Sequence, residues 1–332
     1  MSARNYSKPA FTALMKAAGN WIAPQAPGEG RICILNYHRV LESRDPLLDE
    51  DPDVASFRWQ MELLAECFNV LPLKDAIGAL ETQRLPARAV CITFDDGYRS
   101  VHDLAAPILK EFNFPATVFV TSGYVGERNM WNDRIVEAIR RLHDQEIDLR
   151  ALGLGVYPLR TPMEKKIAAQ DLTKIAKYLP AQARLSLISR LEELAGGSES
   201  TGLMLTREMI MSLARQGIEI GAHTVTHPIL ANLDDQSARN EIFESKKQLE
   251  AVTGGPVTLF AYPNGKPEVD FDERHVRMVE EAGYVAAFTS SAGAATRKND
   301  RYRIPRSLPW DTGSLMFGVR MLYWLAGRGA QT

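Results

Sequence analysis

The sequence predicts an α/β protein built as an incomplete or distorted (β/α)7 barrel. Roughly seven short apolar runs rich in β-branched residues, typical of buried parallel strands, alternate with segments whose apolar residues recur at helical spacing. A chain of 332 residues is long enough for one such barrel. Ionisable residues directly follow two of the apolar runs, and in barrels of this kind chemistry is carried at the carboxyl ends of the strands.

The first predicted elements follow a Pro- and Gly-rich stretch that ends at Gly30. Residues 31–38 predict the first core strand, and the acidic, proline-punctuated segment 42–53 predicts a loop. Ser56 is the predicted N-cap of the next helix because it precedes apolar residues at helical spacing. Those residues are Trp59, Leu63, Leu64 and Cys67.

The next stretch of the chain continues the alternation of strands and helices. Runs of apolar and β-branched residues predict strands over 70–73, 89–94 and 116–121. Helical spacing of apolar residues predicts helices over 74–81 and 101–112, the second of which contains a proline. The strand over 89–94 is the central one, because the ionisable residues that follow it organise the predicted site.

Residues 131–200 interrupt this alternation and predict a mostly helical insertion. Amphipathic patterns predict helices over 131–142, 164–179 and 181–194. The segment 147–159 between the first two predicts extended chain. The insertion carries no catalytic motif of its own, so it is predicted to be structural, with a cap over a substrate groove as the alternative.

The alternation resumes at Thr206, which is the predicted N-cap of a helix. Asp234 and Asp235 predict the start of a long helix that runs through Glu250. The remaining predicted elements are strands over 218–223, 257–263 and 285–289, a helix over 275–282, and a short edge strand over 303–306.

Three regions follow from these patterns. They are an N-terminal extension over residues 1–30, the barrel with its insertion over 31–312, and an apolar C-terminal helix or tail over 313–332. Within the tail, residues 315–326 carry one charge, that of Arg320. This segment is predicted to pack on the barrel, with contact to a partner or to a membrane surface as the alternatives.

Composition limits the function classes. Hydrophobic residues make up 45% of the chain and charged residues 24%, as in globular proteins, and a net charge of −2 gives no electrostatic case for binding nucleic acid. We see no apolar run of about 18 residues, and the N-terminus is a poor match to a signal peptide. Cys33, Cys67 and Cys91 lack metal-type spacing and predict buried free thiols. A cytoplasmic protein is therefore expected; the oligomeric state is left open.

Two adjacent carboxylates, Asp95 and Asp96, end the central predicted strand, and Gly97 then allows the backbone to turn. Neighbouring acids repel each other unless a cation or a proton separates their roles. A turn with a helix cap is the alternative interpretation of this pattern. The residues that decide between the two interpretations lie much later in the chain.

Two histidines four residues apart, His223 and His227, also follow a predicted strand. Both imidazoles can point at one ion from a tight loop, although such a pair alone is a weak signal. Together with a carboxylate from a second strand end, they form a set of two histidines and one aspartate that leaves room for water and substrate. One of the two aspartates would then bind the metal ion and the other would remain free as a base.

These segments resemble two motifs of the polysaccharide deacetylases, the NodB-homology family. The matching segments are Thr93-Phe-Asp-Asp-Gly97 and His223-Thr-Val-Thr-His227, and Phe260-Ala-Tyr-Pro-Asn-Gly265 is similar to a third motif. The resemblance implies a distorted (β/α) barrel, Asp95 as general base, and Asp96, His223 and His227 as ligands of a divalent metal. In the third motif it implies that Pro263 lines the substrate groove and that the Asn264 N–H holds the oxyanion.

The third motif departs from the family pattern at Ala261, where the family has an arginine that orients the catalytic base. Arg306 is our candidate for this role, because a guanidinium can hold a carboxylate with two parallel hydrogen bonds. An ordinary surface arginine is the alternative. The helical insertion also separates the first two motifs more widely than is usual in the family.

A second departure concerns the general acid. The family's late Leu-x-His motif is absent, since no histidine follows His275. His38, at the end of the first predicted strand, resembles the arrangement in exopolysaccharide deacetylases with rearranged motifs and is our candidate for the acid. A hydrogen bond to substrate or to another site residue is the alternative role. The other histidines, His102, His143 and His275, are predicted to be structural.

Aromatic side chains near these motifs are candidates for stacking on sugar rings. They are Tyr37, Tyr98, Tyr262 and Trp310, with Tyr98 and Tyr262 best placed in the sequence. The residues, taken with the resemblance, predict a metal-dependent hydrolase that removes N-acetyl groups from a sugar in a polysaccharide or its lipid-linked precursor. Zn²⁺ is the expected ion, with Co²⁺, Ni²⁺ or Fe²⁺ as alternatives. Hydrolysis of other non-peptide C–N bonds and non-catalytic glycan binding are the competing functions.

Overall fold

The computed structural model describes residues 8–22, 30–126, 129–198, 202–309 and 311–327. The strands in these residues are β1 (Arg31–Tyr37), β2 (Asn69–Val70), β3 (Ala89–Phe94), β4 (Thr117–Val120), β5 (Glu146–Asp148), β6 (Val156–Pro158), β7 (Glu219–Ala222), β8 (Leu259–Ala261), β9 (Ala286–Phe288) and β10 (Ala295–Thr296). The α-helices are α1 (Lys8–Ile22), α2 (Val54–Cys67), α3 (Leu73–Glu81), α4 (Ala106–Glu111), α5 (Trp131–Arg141), α6 (Pro162–Tyr178), α7 (Ala181–Leu194), α8 (Arg207–Arg215), α9 (Asp235–Thr253), α10 (Glu273–Glu281) and α11 (Ser314–Leu325).

The chain forms two compact units. The described parts of Met1–Glu42, Asp51–Val125 and Leu205–Thr332 make up the barrel unit. The described parts of Ser43–Glu50 and Gly126–Met204 make up the insertion unit. The sequence did not predict that the short segment 43–50 belongs with the insertion, because the segment has no element pattern of its own.

The barrel unit contains an eight-stranded sheet with the strand order β10-β1-β3-β4-β7-β8-β9, in which β2 pairs with β3. Every pairing along this path is parallel except that of β1 with β10. Parallel strands need covered faces, which explains why the barrel strands are almost continuous buried apolar runs.

A late segment joins the two ends of this curled sheet. Residues 304–307, within and just after the predicted edge strand, pair with β9 on one side and with β1 on the other. The Ile304 N–H donates to the Ala287 carbonyl at 2.9 Å, and the Ser307 N–H donates to the Ile34 carbonyl at 2.8 Å. The predicted distorted (β/α)7 barrel is therefore confirmed. The late segment takes the place of its seventh strand, beside β1, β3, β4, β7, β8 and β9.

Helix α2 begins earlier than predicted. Its N-cap is Asp53 rather than Ser56, and Asp53 Oδ1 accepts a hydrogen bond of 2.7 Å from the Ser56 N–H. Both residues are good caps by composition. The carboxylate stands at the position from which it can reach an unpaired N–H of the first turn, so the helix starts at Val54.

The predicted helix over 101–112 is divided in two. Residues Val101–Ala105 form a π-helical turn, and the α-helix α4 starts at Ala106. Pro107 explains the division, because its ring has no N–H donor and crowds the carbonyl four residues before it. A wider turn before the proline relieves that conflict.

The C-terminal helix α11 packs against α1, α2 and β1. Its buried residues are Phe317, Gly318, Met321, Leu322, Trp324 and Leu325. Its exposed apolar side chains are Leu315, Met316, Val319 and Tyr323. Contact of this exposed face with a partner or membrane stays a prediction. Among the described residues, no helix combines the length and apolar character needed to cross a bilayer.

The insertion unit has its own hydrophobic core, formed by α5, α6, α7 and the antiparallel hairpin β5–β6. The three predicted helices are present, and the segment predicted to be extended forms the hairpin. Arg134 and Glu192 join α5 to α7 through two hydrogen bonds of 2.7 Å. Residues 199–201, at the end of the predicted insertion, lie outside the described residues.

Candidate metal centre

Four barrel strands deliver the sequence-predicted site residues to one end of the barrel. His38 follows β1, Asp95 and Asp96 follow β3, His223 begins the loop after β7, and residues 262–265 follow β8. Because the strands are parallel, these loops leave the barrel at the same end. Residues far apart in the sequence are thereby brought within reach of one another.

Asp96, His223 and His227 form a compact set of possible metal ligands. Asp96 Oδ1 lies 3.5 Å from His223 Nε2 and 3.4 Å from His227 Nε2. One donor atom from each of the three residues falls within 4.8 Å of the others. Two ligand atoms each about 2.1 Å from a tetrahedral ion are about 3.4 Å apart, so the carboxylate and imidazoles have the spacing of a tetrahedral site.

The orientation of His223 is fixed by the backbone of the neighbouring strand. Its Nδ1 lies 2.7 Å from the carbonyl oxygen of Ala261 at the end of β8. A carbonyl only accepts, so Nδ1 carries a proton, and when the ring is neutral its Nε2 lone pair faces Asp96. Metal-binding histidines commonly have this arrangement. For His227, no hydrogen-bond partner of Nδ1 is present among the described residues.

The charges of these groups suit a cation. Burial alone would raise the pKa of Asp96, but the nearby imidazoles of His223, His227 and His38 lower it far below its usual value. Burial lowers the pKa of His227 to about 4, so that its ring is neutral at physiological pH. Asp96 Oδ1 is buried and has no hydrogen-bond partner within the described part of the chain. An ionised, unpartnered oxygen facing two imidazole nitrogens fits a divalent metal ion.

Asp95 has a different environment from its neighbour. Arg306 donates to both of its oxygens, with Nη1 2.7 Å from Oδ1 and Nη2 2.6 Å from Oδ2. Asn36 Nδ2 donates to Oδ2 at 3.1 Å. Burial would raise the pKa of Asp95, but the charges of Arg306 and His223 lower it below its usual value. The carboxylate is thus held ionised, and Oδ1 has only one of these three donors.

Arg306 is among the most buried residues of the protein, with 2% of its surface exposed. The late segment 304–307 carries it into the barrel, where its Nε also donates to the Thr289 carbonyl at 3.2 Å. The alternative of a surface arginine is therefore wrong. In the family, an arginine at the position of Ala261 is expected to orient the catalytic base. Arg306 makes the corresponding contact with Asp95 in this protein.

Asn36 is the contact that sequence reasoning missed. Its side chain is 4% exposed and reaches Asp95 from the end of β1, while its Oδ1 has no hydrogen-bond partner among the described residues. A signal was present, because Asn36 is a polar residue inside an otherwise apolar strand and stands two residues before His38. Buried polar residues are placed where a partner exists.

His38 lies beside this centre and is half-buried. It is near enough for a positive charge on its ring to lower the pKa of both Asp95 and Asp96. The residue is not fully buried, as a general acid that reaches substrate requires. Its role in proton transfer stays a prediction.

The loop after β8 holds Asn264 in a left-handed conformation with φ of 61°. Gly265 follows, and a Cβ at that position would lie 2.7 Å from the Ser290 backbone nitrogen. Ser290 Oγ donates to the Asn264 carbonyl at 2.5 Å, which fixes the orientation of the peptide. Pro263 and Asn264 therefore stand in a rigid turn at the same end of the barrel as the histidines.

The tyrosines predicted to stack on sugar rings are buried. Tyr98 is 2% exposed and lies under the Arg39 guanidinium, whose carbon is 3.8 Å from the ring centroid. Tyr262 is 1% exposed and stacks on Phe271 with centroids 3.7 Å apart. Neither ring has a face open to a sugar, so the prediction of stacking at these two positions is wrong. Trp310 lies outside the described residues.

Several non-glycine residues of this centre adopt the left-handed region. They are Asp96, Thr224, His227 and Asn264, with φ between 55° and 73°. Such conformations cost about 1–3 kcal/mol each and persist where surrounding contacts impose them. Four such residues lie around the possible ligands, which indicates that strained backbone conformations orient these side chains at some cost in folding free energy.

A family model described as polysaccharide deacetylase matches residues 82–287, which is more than half of the chain. The matched range contains both aspartates and both histidines of the centre, but neither His38 nor Arg306. A poly-β-1,6-N-acetyl-D-glucosamine N-deacetylase of Staphylococcus epidermidis is 29% identical over 169 residues, covering 44% of this chain and 58% of that protein. YxkH of Bacillus subtilis strain 168 is 22% identical over 287 residues, covering 86% of this chain and 73% of that protein.

Two solved structures have a similar fold. The Streptococcus pyogenes deacetylase PplD superimposes with a TM-score of 0.59 at 18% identity and covers 89% of this chain and 99% of that one. IcaB from Ammonifex degensii gives a TM-score of 0.59 at 19% identity, covering 91% and 98% of the two chains. The distorted barrel of this chain is therefore one that other proteins share.

Proposed function

The chain belongs to the polysaccharide deacetylase family, and from that premise we propose that it removes N-acetyl groups from an N-acetylated sugar by metal-dependent hydrolysis. As a member of this family it is a hydrolase of carbon–nitrogen bonds in linear amides. One observation carries this finer proposal. Asp96 Oδ1 lies 3.4 and 3.5 Å from the Nε2 atoms of His227 and His223, and Asp95, the second aspartate, is held separately beside them.

In this proposal Asp96, His223 and His227 hold one divalent ion, with Zn²⁺ as the expected metal. When bound, such an ion supplies Lewis-acid activation of water and of the amide carbonyl. Two neutral imidazoles and one carboxylate accept Zn²⁺, Co²⁺, Ni²⁺ or Fe²⁺. The set contributes three protein ligands, which is the number that catalytic zinc sites use.

Asp95 is the proposed general base. Its carboxylate is ionised because Arg306 lowers its pKa, and Oδ1 retains a lone pair beyond the one that accepts from Arg306 Nη1. Arg306 and Asn36 fix the direction of that lone pair. Asp95 can therefore take a proton from the attacking water without changing its position.

His38 is the proposed general acid and protonates the amine as the C–N bond breaks. It is half-buried and lies close enough to both aspartates to interact with their charges. The Asn264 N–H is the proposed donor to the oxyanion, in a turn whose conformation is fixed before substrate binds. Pro263 and Asn264 would thereby line the groove.

The proposed substrate is an N-acetylated carbohydrate, either an exopolysaccharide or its lipid-linked precursor. The name of the Staphylococcus epidermidis relative, an N-deacetylase of poly-β-1,6-N-acetyl-D-glucosamine, supports this class. The proposal includes a cytoplasmic location, supported by the free and buried state of Cys33, Cys67 and Cys91. Cell fractionation with an antibody against the chain tests that location.

Acetate release tests the function. The purified protein is incubated with β-1,6-linked N-acetylglucosamine oligomers, or with lipid-linked N-acetylglucosamine, with and without a chelator. We expect acetate and free amine in equal amounts, loss of both with the chelator, and recovery with Zn²⁺ or Co²⁺. Hydrolysis of cyclic amides without any acetate release would instead indicate a different C–N hydrolase.

The variant Asp95→Asn separates chemistry from metal binding. Removal of a general base lowers turnover by about 10²- to 10⁴-fold, while the three metal ligands are untouched. We therefore expect metal content equal to that of the wild type together with loss of acetate release. His223→Ala is the comparison that should lose both. Normal turnover by Asp95→Asn would contradict the assigned role.

A further inference from the structure

We propose that Glu241, in the N-terminal half of helix α9, is a positioning residue that sets the geometry of the metal centre through the loop between His223 and His227. The inference rests on the proposed function, since it concerns the affinity of that centre for its ion. Glu241 belongs to none of the sequence motifs described above, and it lies fourteen residues beyond His227 in the sequence.

The carboxylate of Glu241 collects three donors from the loop. Oε2 accepts from the backbone N–H of Val225 and from that of Thr226, both at 2.8 Å. Oε1 accepts from Thr226 Oγ1 at 2.6 Å. Hydrogen bonds to an ionised acceptor are stronger than those between neutral groups, so this one side chain fixes two successive peptide units between the histidines.

The loop needs such an external hold because its conformation is unfavourable by itself. Thr224 and His227 both have left-handed backbones, with φ of 63° and 55°. Within the loop, Thr224 Oγ1 accepts from the His227 N–H at 3.1 Å. Left-handed non-glycine residues persist only where surrounding contacts impose them, and Glu241 supplies such contacts from outside the loop.

Helix α9 also contacts Ser122, which in turn is hydrogen-bonded to the loop at Thr224. Gln248 lies seven residues after Glu241, two turns along the same face of α9, and its Oε1 accepts from Ser122 Oγ at 2.7 Å. The Ser122 N–H in turn donates to the Thr224 carbonyl at 3.1 Å. The loop is thus held between the extension of β4 and one face of α9.

Loss of the Glu241 contacts would release the peptides that aim His227 at Asp96. The outer partners that orient metal ligands typically contribute about 10- to 100-fold to metal affinity. We expect Glu241→Ala to weaken binding of the metal by this factor. Glu241→Gln should be weakened less, because its carbonyl oxygen can still accept from the two backbone N–H groups.

The experiment titrates the metal-free 332-residue chain with Co²⁺ and follows the visible absorption of the bound ion. It compares wild type, Glu241→Ala, Glu241→Gln and the matched control Glu244→Ala. Glu244 lies on the same helix, is exposed, and contacts Lys247 rather than the loop. Thermal unfolding of each metal-free protein is measured in parallel, and Thr226→Val removes one of the three donors if Glu241→Ala does not fold.

A weaker Co²⁺ affinity and an altered absorption spectrum in the Glu241 variants, with Glu244→Ala unchanged, support the inference. If Glu241 has a purely structural role, its variants will lower the unfolding temperature of the metal-free protein but leave the Co²⁺ affinity and the spectrum unchanged, and that result would overturn the inference. If the wild type binds Co²⁺ and releases acetate, and the Glu241 and Thr226 variants bind Co²⁺ as the wild type does, this inference alone is overturned. Failure of the wild type itself to bind Co²⁺ overturns it together with the proposed function.

Discussion

At the scale of the residue, two adjacent aspartates differ in backbone conformation and therefore in the groups that their side chains face. Asp96 has φ of 73°, and its side chain faces the histidines. Asp95 directly follows β3, and its side chain contacts Arg306. Both groups are acids of the same intrinsic strength. Their surroundings separate them into one that faces a cation site and one held by a guanidinium.

Removal of the guanidinium at position 306 should destabilise the protein strongly. Arg306→Met leaves the buried Asp95 carboxylate without its cation, for which we expect a loss of about 3–5 kcal/mol in the free energy of unfolding. Because the pKa of Asp95 is lowered, this stabilisation is present above about pH 4 and is lost as the pH falls through the lowered value.

Urea unfolding at pH 7 measures the effect. Arg301→Met is the control, since Arg301 forms an exposed pair with Glu81 and such pairs contribute about 0–1 kcal/mol. The double variant Arg306→Met/Asp95→Asn should recover part of the loss. A cost for Arg306→Met as small as that of the control would show that the buried pair does not stabilise the fold.

Metal affinity should depend on pH through one histidine. Burial opposes protonation of His223, but the charges of Asp95 and Asp96 raise its pKa above its usual value of about 6.5, whereas the pKa of His227 is lowered to about 4. Metal must displace a proton from His223 below that raised pKa. We expect the affinity for Zn²⁺ to fall about tenfold per pH unit between pH 6.5 and 5.

Titrations with competing chelator across this range give the slope. A fall of about a hundredfold per unit would mean that both imidazoles lose protons on binding. An affinity independent of pH would show that neither does, and it would contradict the raised pKa of His223.

The caps of the helices show what the sequence predicts at the scale of the element. Asp53 and Ser56 both precede α2, and the structure places the capping carboxylate on Asp53. We expect Asp53→Ala to cost about 0.5–2 kcal/mol of stability, and Ser56→Ala to change it by less than about 0.5 kcal/mol. Thermal or urea unfolding of the two variants compares them directly. The reverse order would restore Ser56 as the cap.

Most elements were predictable because periodicity and capping are local properties of the sequence. The helices over 131–142, 164–179 and 181–194 match α5, α6 and α7 closely for that reason. Errors arose where a non-local contact decides. Strand β10 has two residues and exists because it pairs with β1, so no periodic pattern could have revealed it.

At the scale of the whole molecule, the site depends on a contact between the two ends of the barrel sequence. The segment 304–307 pairs with β1 and brings Arg306 to Asp95. The sequence indicated Arg306 only because the resemblance showed an arginine missing at Ala261. Asn36 and Glu241 were not predicted, since they act through contacts across elements and belong to no motif.

Removal of the metal should destabilise the whole barrel unit. An ion that binds the folded state alone stabilises it by about 2.7 kcal/mol at a free concentration of one hundred times its dissociation constant. We therefore expect a chelator to lower the unfolding temperature and added Zn²⁺ to raise it with concentration. His227→Ala is the control that should not respond to either. A wild type that is equally insensitive would argue against a folded-state metal site.

The late position of the segment 304–307 has a consequence during protein synthesis. The first strand of the barrel leaves the ribosome early, but one backbone edge of it remains unpaired until residues 295–307 have been made. An open edge of this kind pairs readily with other chains. A copy truncated before this segment would therefore be prone to aggregate and would also lack the cation beside Asp95, so both properties depend on the same late segment.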